Sequence, residues 1–287
     1  MTRGLTGREI ALRAQMAALL EVSAPKPGNV SRYHDFGDTS FEDFLTSAVA
    51  VGAAFDAVEE SSLGSLIERG VTETRRWVRT NTNLGIVLLF APLACAAARG
   101  YRGSLRERLA SVLADTTIDD ARAAYAAIRL ARPGGLGSVP EQDVNAEPTV
   151  TLREAMVLAA DRDAIAREYV TDYATTFDTA VPALRRARLG AAWPSAITDA
   201  FLTLLAARPD TLIARKAGVA AAKRVSGEAA AVLDAGESHS PERAAAIVRL
   251  DRRLRSAGNR LNPGATADLI AAAIFVVLLE DGAGVTM

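Results

Sequence analysis

A recurring pattern of helix starts constrains the fold of this chain more than any other feature of its sequence. Serine or threonine is followed three residues later by an acidic residue at several places, most clearly at Thr6/Glu9, Thr39/Glu42 and Thr151/Glu154. Such pairs satisfy the free backbone N–H groups in the first turn of a helix. Val and Ile seldom alternate with polar residues, and the richness in Ala, Leu, Arg and Glu favours helix. The sequence therefore predicts an all-α fold.

These signals predict helices along almost the whole chain, over residues 6–23, 40–60, 62–79, 85–99, 104–114, 117–131, 151–169, 171–189, 195–207, 211–235, 241–257 and 265–280. No linker or change of composition divides the 287 residues, so we expect a single multi-helix globular domain over 1–287. The most apolar stretches, 80–98 and 274–279, are too polar at one end or too short to cross a bilayer.

The charge balance excludes several function classes. The chain has 33 basic and 34 acidic side chains, so it has no overall attraction to nucleic acid or to an anionic membrane. Its one cysteine, Cys95, cannot form an internal disulfide, and no leader-like segment opens the sequence. We therefore expect a cytoplasmic protein, and the sequence leaves open whether it forms a homo-oligomer.

The first chemical candidate is the loop from Pro25 to Asn29. Its Pro27-Gly28 pair suits a type II turn in which Gly28 has a positive φ, and this would hold Lys26 on a stiff loop. Glu21 precedes the loop on a small-residue helix face, where a carboxylate would be partly buried and would need Lys26 or a metal as a partner. The alternative is that the loop only terminates a helix.

The second candidate is the acidic segment that follows, with His34, Asp35, Asp38 and Asp43 within ten residues. Loop carboxylates suit Mg²⁺, which takes one or two protein ligands together with substrate phosphates. Asp38 could instead belong to a helix start.

Two further candidates open apolar helices, at Thr80–Gly85 and at Asn262–Asp268. Free N–H groups at a helix start can receive a phosphate or the edge of a ribose, and Gly264 would let a ligand approach the backbone. Asp268 could equally stabilise the helix dipole without any ligand.

Three weaker signals complete the set. The segment 132–150 is long and polar and begins with Pro-Gly-Gly, so we expect it to cover or line a site. Asp161-Arg162-Asp163 is predicted to lie within a helix, where such a triplet invites a functional explanation. Arg215 and Lys216 either bind phosphate or lie on a solvated helix face.

In their order along the chain, these segments resemble the triphosphoribosyl-dephospho-CoA synthase family. Its members carry Pro-Lys-Pro-Gly, Asn-Thr-His-Lys-Gly and Ser-Pro-Gly-Gly-Ser-Ala-Asp segments, which are similar to residues 25–28, 81–85 and 262–268. Arg153-Glu154-Ala155 is similar to an Arg-Glu-Ala segment of the family. Asp210 and Arg215–Gly218 resemble its later Asp and Arg-Gly-Gly region.

The resemblance implies an all-α transferase that moves a (5-triphospho)ribosyl group from ATP to a hydroxyl of dephospho-CoA, or of a related small cofactor precursor, and releases adenine. We predict Glu21, Lys26 and Asp268 as catalytic residues, with Glu21 or Asp268 as the base, and Mg²⁺ as the cofactor. Substrate contacts are predicted for Lys26, Gly28, Asn29, Asn81, Thr82, Asn83, Gly85, Arg153, Arg215, Lys216, Asn262, Gly264 and Thr266. The predicted metal ligands are Asp35, Asp38 and Asp268.

The chain departs from the family pattern at one pair of residues. Asn83 and Leu84 stand where the family carries His-Lys, and an aliphatic side chain cannot pair with a phosphate. In addition, 135–137 and 161–163 resemble a family branch found in organisms that use methanopterin-type one-carbon cofactors. Two alternatives therefore stay open, a transferase of the same fold acting on a pterin-type precursor and a non-catalytic helical nucleotide-binding protein.

Overall fold

The all-α prediction is confirmed by the computed structural model, which describes residues 4–100 and 103–281. Its α-helices are α1 (Gly7–Ser23), α2 (Phe41–Phe55), α3 (Leu63–Trp77), α4 (Leu84–Ala98), α5 (Leu105–Ala114), α6 (Ile118–Ala131), α7 (Leu152–Ala159), α8 (Ala164–Val170), α9 (Val181–Arg188), α10 (Trp193–Ala207), α11 (Thr211–Ala217), α12 (Val219–Asp234), α13 (Pro241–Arg255) and α14 (Gly264–Asp281). A 3-10 turn (Val58–Glu60), a π-helical turn (Thr176–Ala180) and a short extended segment, β1 (Ser256–Asn259), complete the described elements.

Two of the three predicted capping pairs are confirmed, and the third is displaced by one residue. Thr6 and Thr151 each accept a hydrogen bond from the backbone of the glutamate three residues later, and each glutamate bonds back. The predicted Thr39/Glu42 pair is wrong by one residue, because Ser40 and Asp43 form the cap of α2. Thr39 is instead buried, and its carbonyl accepts a hydrogen bond from the backbone of Phe36.

Four predicted helices are interrupted. The predicted helix 40–60 ends at Phe55 and is followed by the separate 3-10 turn Val58–Glu60. The predicted helix 151–169 breaks after α7, and Asp163 becomes the cap of α8, so the Asp161–Asp163 triplet does not lie within a helix. The predicted helix 211–235 breaks at Gly218, which has φ 90°. The predicted helix 171–189 begins instead as the π-helical turn before α9.

Helices α4 and α14 form the centre of the core. Both are apolar around their whole circumference, as expected of helices buried on every side. Phe90 of α4 stacks on Phe275 of α14, with ring centroids 4.5 Å apart. Within the described residues, no helix is long and apolar enough to cross a membrane.

Pro92 lies inside α4 and removes one helical hydrogen bond. The carbonyl that loses its donor belongs to Leu88, four residues earlier. Tyr169 of α8 donates its hydroxyl to that carbonyl at 2.7 Å, and Tyr173 donates to the carbonyl of Leu89 at 2.9 Å. Both tyrosines are fully buried, so the segment from α8 onward is held against the middle of α4.

Candidate active site

A cavity of about 870 Å³ lies where the ends of several helices meet. The C-terminal ends of α3 and α6 form one wall, because the backbone N–H of Gly64 donates to Asp120 at 2.7 Å and sets the two helices side by side in the same direction. The other walls are formed by the start of α4, the turn between α7 and α8, the end of α11 and the start of α14. This volume is in the range of ligand pockets.

The segment 132–150 lines this cavity, as its polar composition predicts. Most residues from Arg132 to Val144 contribute to the lining. Tyr125 of α6 holds the segment by donating its hydroxyl to the carbonyl of Gln142 at 2.8 Å. The side chain of Gln142 in turn bonds Thr149. These hydrogen bonds hold the segment in the wall of the cavity in this structure.

A second cavity of about 120 Å³ adjoins the first at the start of α4. Eight residues line both cavities, and they include Asn81, Leu84, Gly85, Asn262 and Asp268. The starts of α4 and α14 therefore form a shared wall, which we call the junction.

Asp268 is the most exceptional group at the junction. Its carboxylate has no hydrogen-bond or ion-pair partner among the described residues, although the side chain is largely buried. Gly85 lies directly against it, and a Cβ on Gly85 would stand 2.6 Å from the Asp268 Cγ and 2.7 Å from Ile165 Cδ1. Only glycine therefore fits at position 85 without displacing the carboxylate.

The surroundings of Asp268 favour its protonated form. Burial raises the pKa of this carboxyl well above its ordinary value. The nearby charges of Glu21, Asp210 and Asp163 raise the pKa further, whereas Arg215 lowers it. An aspartic acid that holds its proton can act as a donor, a role that ordinary carboxylates do not have at neutral pH.

Glu21 and Lys26 form a buried ion pair, one of the two arrangements that the sequence suggests for this glutamate. The Lys26 Nζ lies 3.0 Å from Glu21 Oε1, and the two side chains are 1% and 6% exposed. The ammonium also donates to the carbonyls of Glu21 and Ala24. Glu21 lines the smaller cavity, whereas Lys26 lines neither cavity. A contact between Lys26 and phosphate stays a prediction, and it requires the ammonium to leave these three oxygen atoms.

The turn at Gly28 is as predicted, with φ 75° and a hydrogen bond from the Asn29 N–H to the Lys26 carbonyl. It packs against the start of the last helix, since a Cβ on Gly28 would stand 3.1 Å from Pro263 Cδ. The structure thus brings the first and the last candidate segments together. Asn29 lines the smaller cavity, and Gly28 supports the turn from outside it.

The polar side chains before α4 are partly used within the protein. Asn81 Oδ1 accepts the backbone N–H of Leu84 at 3.1 Å, and Asn83 donates to Thr74 at 2.8 Å. The hydroxyl of Thr82 pairs with that of Ser47. All three side chains still line the smaller cavity, so they remain candidates for ligand contact.

The start of α14 divides into a structural part and a ligand-facing part. Thr266 donates its N–H and its hydroxyl to Asp210, at 2.7 and 2.8 Å, and lines neither cavity. Asn262 lines both cavities, and its Oδ1 is buried without a hydrogen-bond partner among the described residues. Gly264 lines the smaller cavity. Substrate contact by Thr266 would require it to release Asp210.

Six cationic side chains line the larger cavity: Arg75, Arg79, Arg132, Arg162, Arg215 and Lys216. The last two were predicted. Arg162 was named only as part of the 161–163 triplet, with no phosphate role. Arg75, Arg79 and Arg132 were missed because they lie at helix ends far apart in sequence, although the position of Arg132 directly before Pro133-Gly134-Gly135 was an available signal. Burial lowers the pKa of Lys216.

Two predicted residues lie elsewhere. Arg153 faces away from the cavities, where it donates to the carbonyl of Tyr169 and lies 3.6 Å from Asp172. Asp35 is exposed and accepts the N–H of Phe41, and it lines neither cavity, whereas Asp38 lines the larger one. Among the described residues, no three or more His, Cys, Asp or Glu side chains are grouped so that they could hold a metal ion. The predicted set of Asp35, Asp38 and Asp268 is therefore not assembled as one metal site.

Comparison with known proteins shows which family the chain belongs to. The model of the CitG family, described as ATP:dephospho-CoA triphosphoribosyl transferase, matches residues 7–287. The chain belongs to this family. The resemblance found in the sequence motifs is thereby confirmed.

Individual members of the CitG family are similar to the chain over different lengths. Curated relatives from Pseudomonas syringae pv. tomato and Pseudomonas savastanoi pv. phaseolicola are each named "Probable 2-(5''-triphosphoribosyl)-3'-dephosphocoenzyme-A synthase". They are 35% identical over 106 residues and 34% identical over 108 residues, and both matches cover 37% of this chain but only 36% of the relative. A crystal structure of a candidate triphosphoribosyl-dephospho-CoA synthase from Archaeoglobus fulgidus aligns with a TM-score of 0.66 and 26% identity, over 82% of this chain and 98% of that one.

Proposed function

We propose that this member of the CitG family moves a (5-triphospho)ribosyl group from ATP to a hydroxyl of dephospho-CoA or a related cofactor precursor, and releases adenine. One observation carries the proposal beyond family membership. A cavity lined by six cationic side chains ends at a largely buried carboxyl group, Asp268, that has no hydrogen-bond or ion-pair partner within residues 4–100 and 103–281.

The cationic lining supports binding of a polyphosphate. Arg79 and Arg132 have no ion-pair partner among the described residues, and Arg75 donates only to backbone carbonyls. Guanidinium groups bind phosphate oxygens with two parallel hydrogen bonds, which favours arginine at such sites. We therefore assign the triphosphate to the larger cavity, and this replaces Lys26 as the main phosphate contact.

Of the predicted magnesium ligands in the cavity walls, one carboxylate suits Mg²⁺ and the other does not. Mg²⁺ is commonly held by one or two carboxylates and the substrate phosphates, and Asp38 is an exposed carboxylate in the wall of the larger cavity. Asp268 is a poor candidate for a ligand, because a carboxyl that keeps its proton binds a cation weakly. When bound with ATP, the ion would neutralise part of the triphosphate charge.

The two carboxyl groups of the smaller cavity suit opposite proton transfers. Transfer forms a bond between the acceptor oxygen and C1 of the ribose and breaks the bond from C1 to adenine, whose nitrogen takes the electron pair. Asp268 would give its proton to the departing adenine, while Glu21, which stays paired with Lys26, would take the proton of the attacking hydroxyl. This revises the sequence prediction that Asp268 could serve as the base.

Incubation with ATP, Mg²⁺ and dephospho-CoA tests the proposal, with adenine and the triphosphoribosylated product measured by chromatography and mass spectrometry. Wild-type protein should release adenine in proportion to product, and Asp268→Asn should release far less. Arg186→Ala is the matched control, because Arg186 is exposed and lines neither cavity. Saturable ATP binding without adenine would instead identify a non-catalytic nucleotide-binding protein.

A second acceptor is favoured by one residue. Leu84 lines both cavities at the position where the family motif carries a lysine. An aliphatic side chain there cannot pair with a phosphate of dephospho-CoA, so a transferase acting on a pterin-type precursor is kept as the alternative. The double variant Asn83→His, Leu84→Lys tests it, because a gain of adenine release with dephospho-CoA would show that this pair selects the acceptor. Cytoplasmic location and oligomeric state stay predictions.

A further inference from the structure

The two cavities differ sharply in charge. Among the described residues, six cationic side chains line the larger cavity, whereas no Lys, Arg or His lines the smaller one, whose polar groups are carboxyls, amides and a hydroxyl. If ATP binds as proposed above, its triphosphate belongs in the larger cavity and its uncharged base in the smaller one. The sugar that connects them then lies at the junction, beside Gly85, Asn262 and Asp268.

Asn262 has an unmet hydrogen-bonding requirement at this junction. Its backbone is fixed, because its carbonyl accepts the Gly264 N–H at 2.9 Å. Its side-chain Oδ1 is buried and has no partner among the described residues. Buried acceptors are nearly always paired in native structures, so an unpaired one in a cavity wall indicates that a ligand supplies the donor.

The chemistry of Oδ1 limits what that donor can be. An amide oxygen only accepts hydrogen bonds, and phosphate oxygens at neutral pH also only accept them. Of the donors that ATP carries, the 6-amino group belongs to the base, which we place in the smaller cavity, so the groups that can donate at the junction are the hydroxyls of the sugar. We propose that Asn262 Oδ1 accepts a hydrogen bond from a hydroxyl of the ribose, so that this residue makes the site select ribonucleotides over deoxyribonucleotides. The inference rests on the proposed function, since it takes ATP as the ligand.

Equilibrium binding tests the inference without any need for turnover. Wild-type protein is titrated calorimetrically with ATP, 2′-deoxyATP, 3′-deoxyATP and inosine triphosphate in the presence of Mg²⁺. We expect one deoxynucleotide to bind about 10-fold more weakly than ATP, as for the loss of one well-formed hydrogen bond. The Asn262→Ala variant should bind ATP more weakly by about the same factor. It should also bind ATP and that deoxynucleotide with equal affinity. Asn262→Ser, which retains an acceptor, should keep part of the preference.

Arg186→Ala is again the control, because Arg186 is exposed and lines neither cavity, and it should keep the wild-type preference. Equal wild-type affinity for ATP and both deoxynucleotides would overturn the inference, even if adenine release upheld the proposed function. The inference would also be overturned if the Asn262→Ala variant kept the full wild-type preference for ATP over the deoxynucleotide. A preference for ATP over inosine triphosphate that Asn262→Ala abolishes, with no effect of the sugar, would mean that Asn262 contacts the base instead. Absence of both ATP binding and adenine release would remove the proposed function and this inference with it. If circular dichroism shows that the Asn262→Ala variant does not fold, the titrations of the wild type and of Asn262→Ser test the inference.

Discussion

Replacing Asp268 with asparagine should make the protein more stable while it removes activity. In the folded protein the pKa of Asp268 is raised well above its ordinary value of 3.8, mainly by burial. Between the unfolded and the folded pKa, the folded state holds a proton that the unfolded state has released. Stability contributed by this group is therefore complete below about pH 4 and falls as the pH rises towards the folded pKa.

The slope of that loss can be stated from linkage alone. Each pH unit between the two pKa values costs about 1.36 kcal/mol, and the loss stops once the pH passes the folded pKa. Asparagine keeps the shape of the side chain and cannot ionise, so Asp268→Asn avoids this loss. The variant should match the wild type near pH 4 and exceed its free energy of unfolding by a growing margin as the pH rises.

Urea unfolding from pH 4 to pH 8, followed by circular dichroism, measures this margin. Asp38→Asn is a suitable control, since Asp38 is an exposed carboxylate in the wall of the same larger cavity, and it should show no such gain. An Asp268→Asn variant that is no more stable than the wild type at pH 7 would refute the reasoning about burial. Adenine release by the wild type should also decline as the pH rises through the pKa of Asp268, because the proposed donor loses its proton.

Three further predictions concern the supports of the site. Lys26→Met leaves the Glu21 carboxylate buried and unpaired, so it should lower the free energy of unfolding by about 3–5 kcal/mol in urea titrations; the addition of Glu21→Gln should restore most of the loss, and an unchanged single variant would contradict the pairing. Tyr169→Phe removes the donor to the carbonyl that the proline of α4 leaves free, and it should cost about 1–3 kcal/mol in the same assay; a loss below about 0.5 kcal/mol would show that this carbonyl finds another partner. Arg79→Ala should raise the KM for ATP several-fold in steady-state kinetics, whereas Arg186→Ala should not, and equal KM values for the two variants would remove Arg79 from the phosphate site.

Local signals in the sequence predicted the helical elements well and their exact ends less well. The first turn of α2 shows why. Thr39/Glu42 and Ser40/Asp43 both have the spacing of a capping pair, and the choice between them depends on the burial of Thr39 in the tertiary structure. The break before α8 has a similar origin. Asp163 caps that helix and pairs with Arg215, which is 52 residues away along the chain.

The candidate site was predicted in its location more than in its contacts. The sequence pointed to the turn at Gly28 and the start of α14 as two of the candidate segments, and the structure places them next to each other. The direction of Lys26 could not be read from the sequence, because a lysine between two prolines can point to solvent or to the interior. The cationic lining was largely missed, since side chains such as Arg75 and Arg162 meet only through the packing of distant helices.

Asp210 links two helices that line the larger cavity. One carboxylate oxygen accepts the Ile213 N–H at the start of α11, and the other accepts both donors of Thr266 at the start of α14. The cations at the end of α11 and the carboxyl group on the first turn of α14 therefore share a single anchor, and neither helix can slide without pulling on the other. A nucleotide that binds the cations of α11 would therefore also pull on the start of α14 and set the orientation of Asp268, the proposed proton donor.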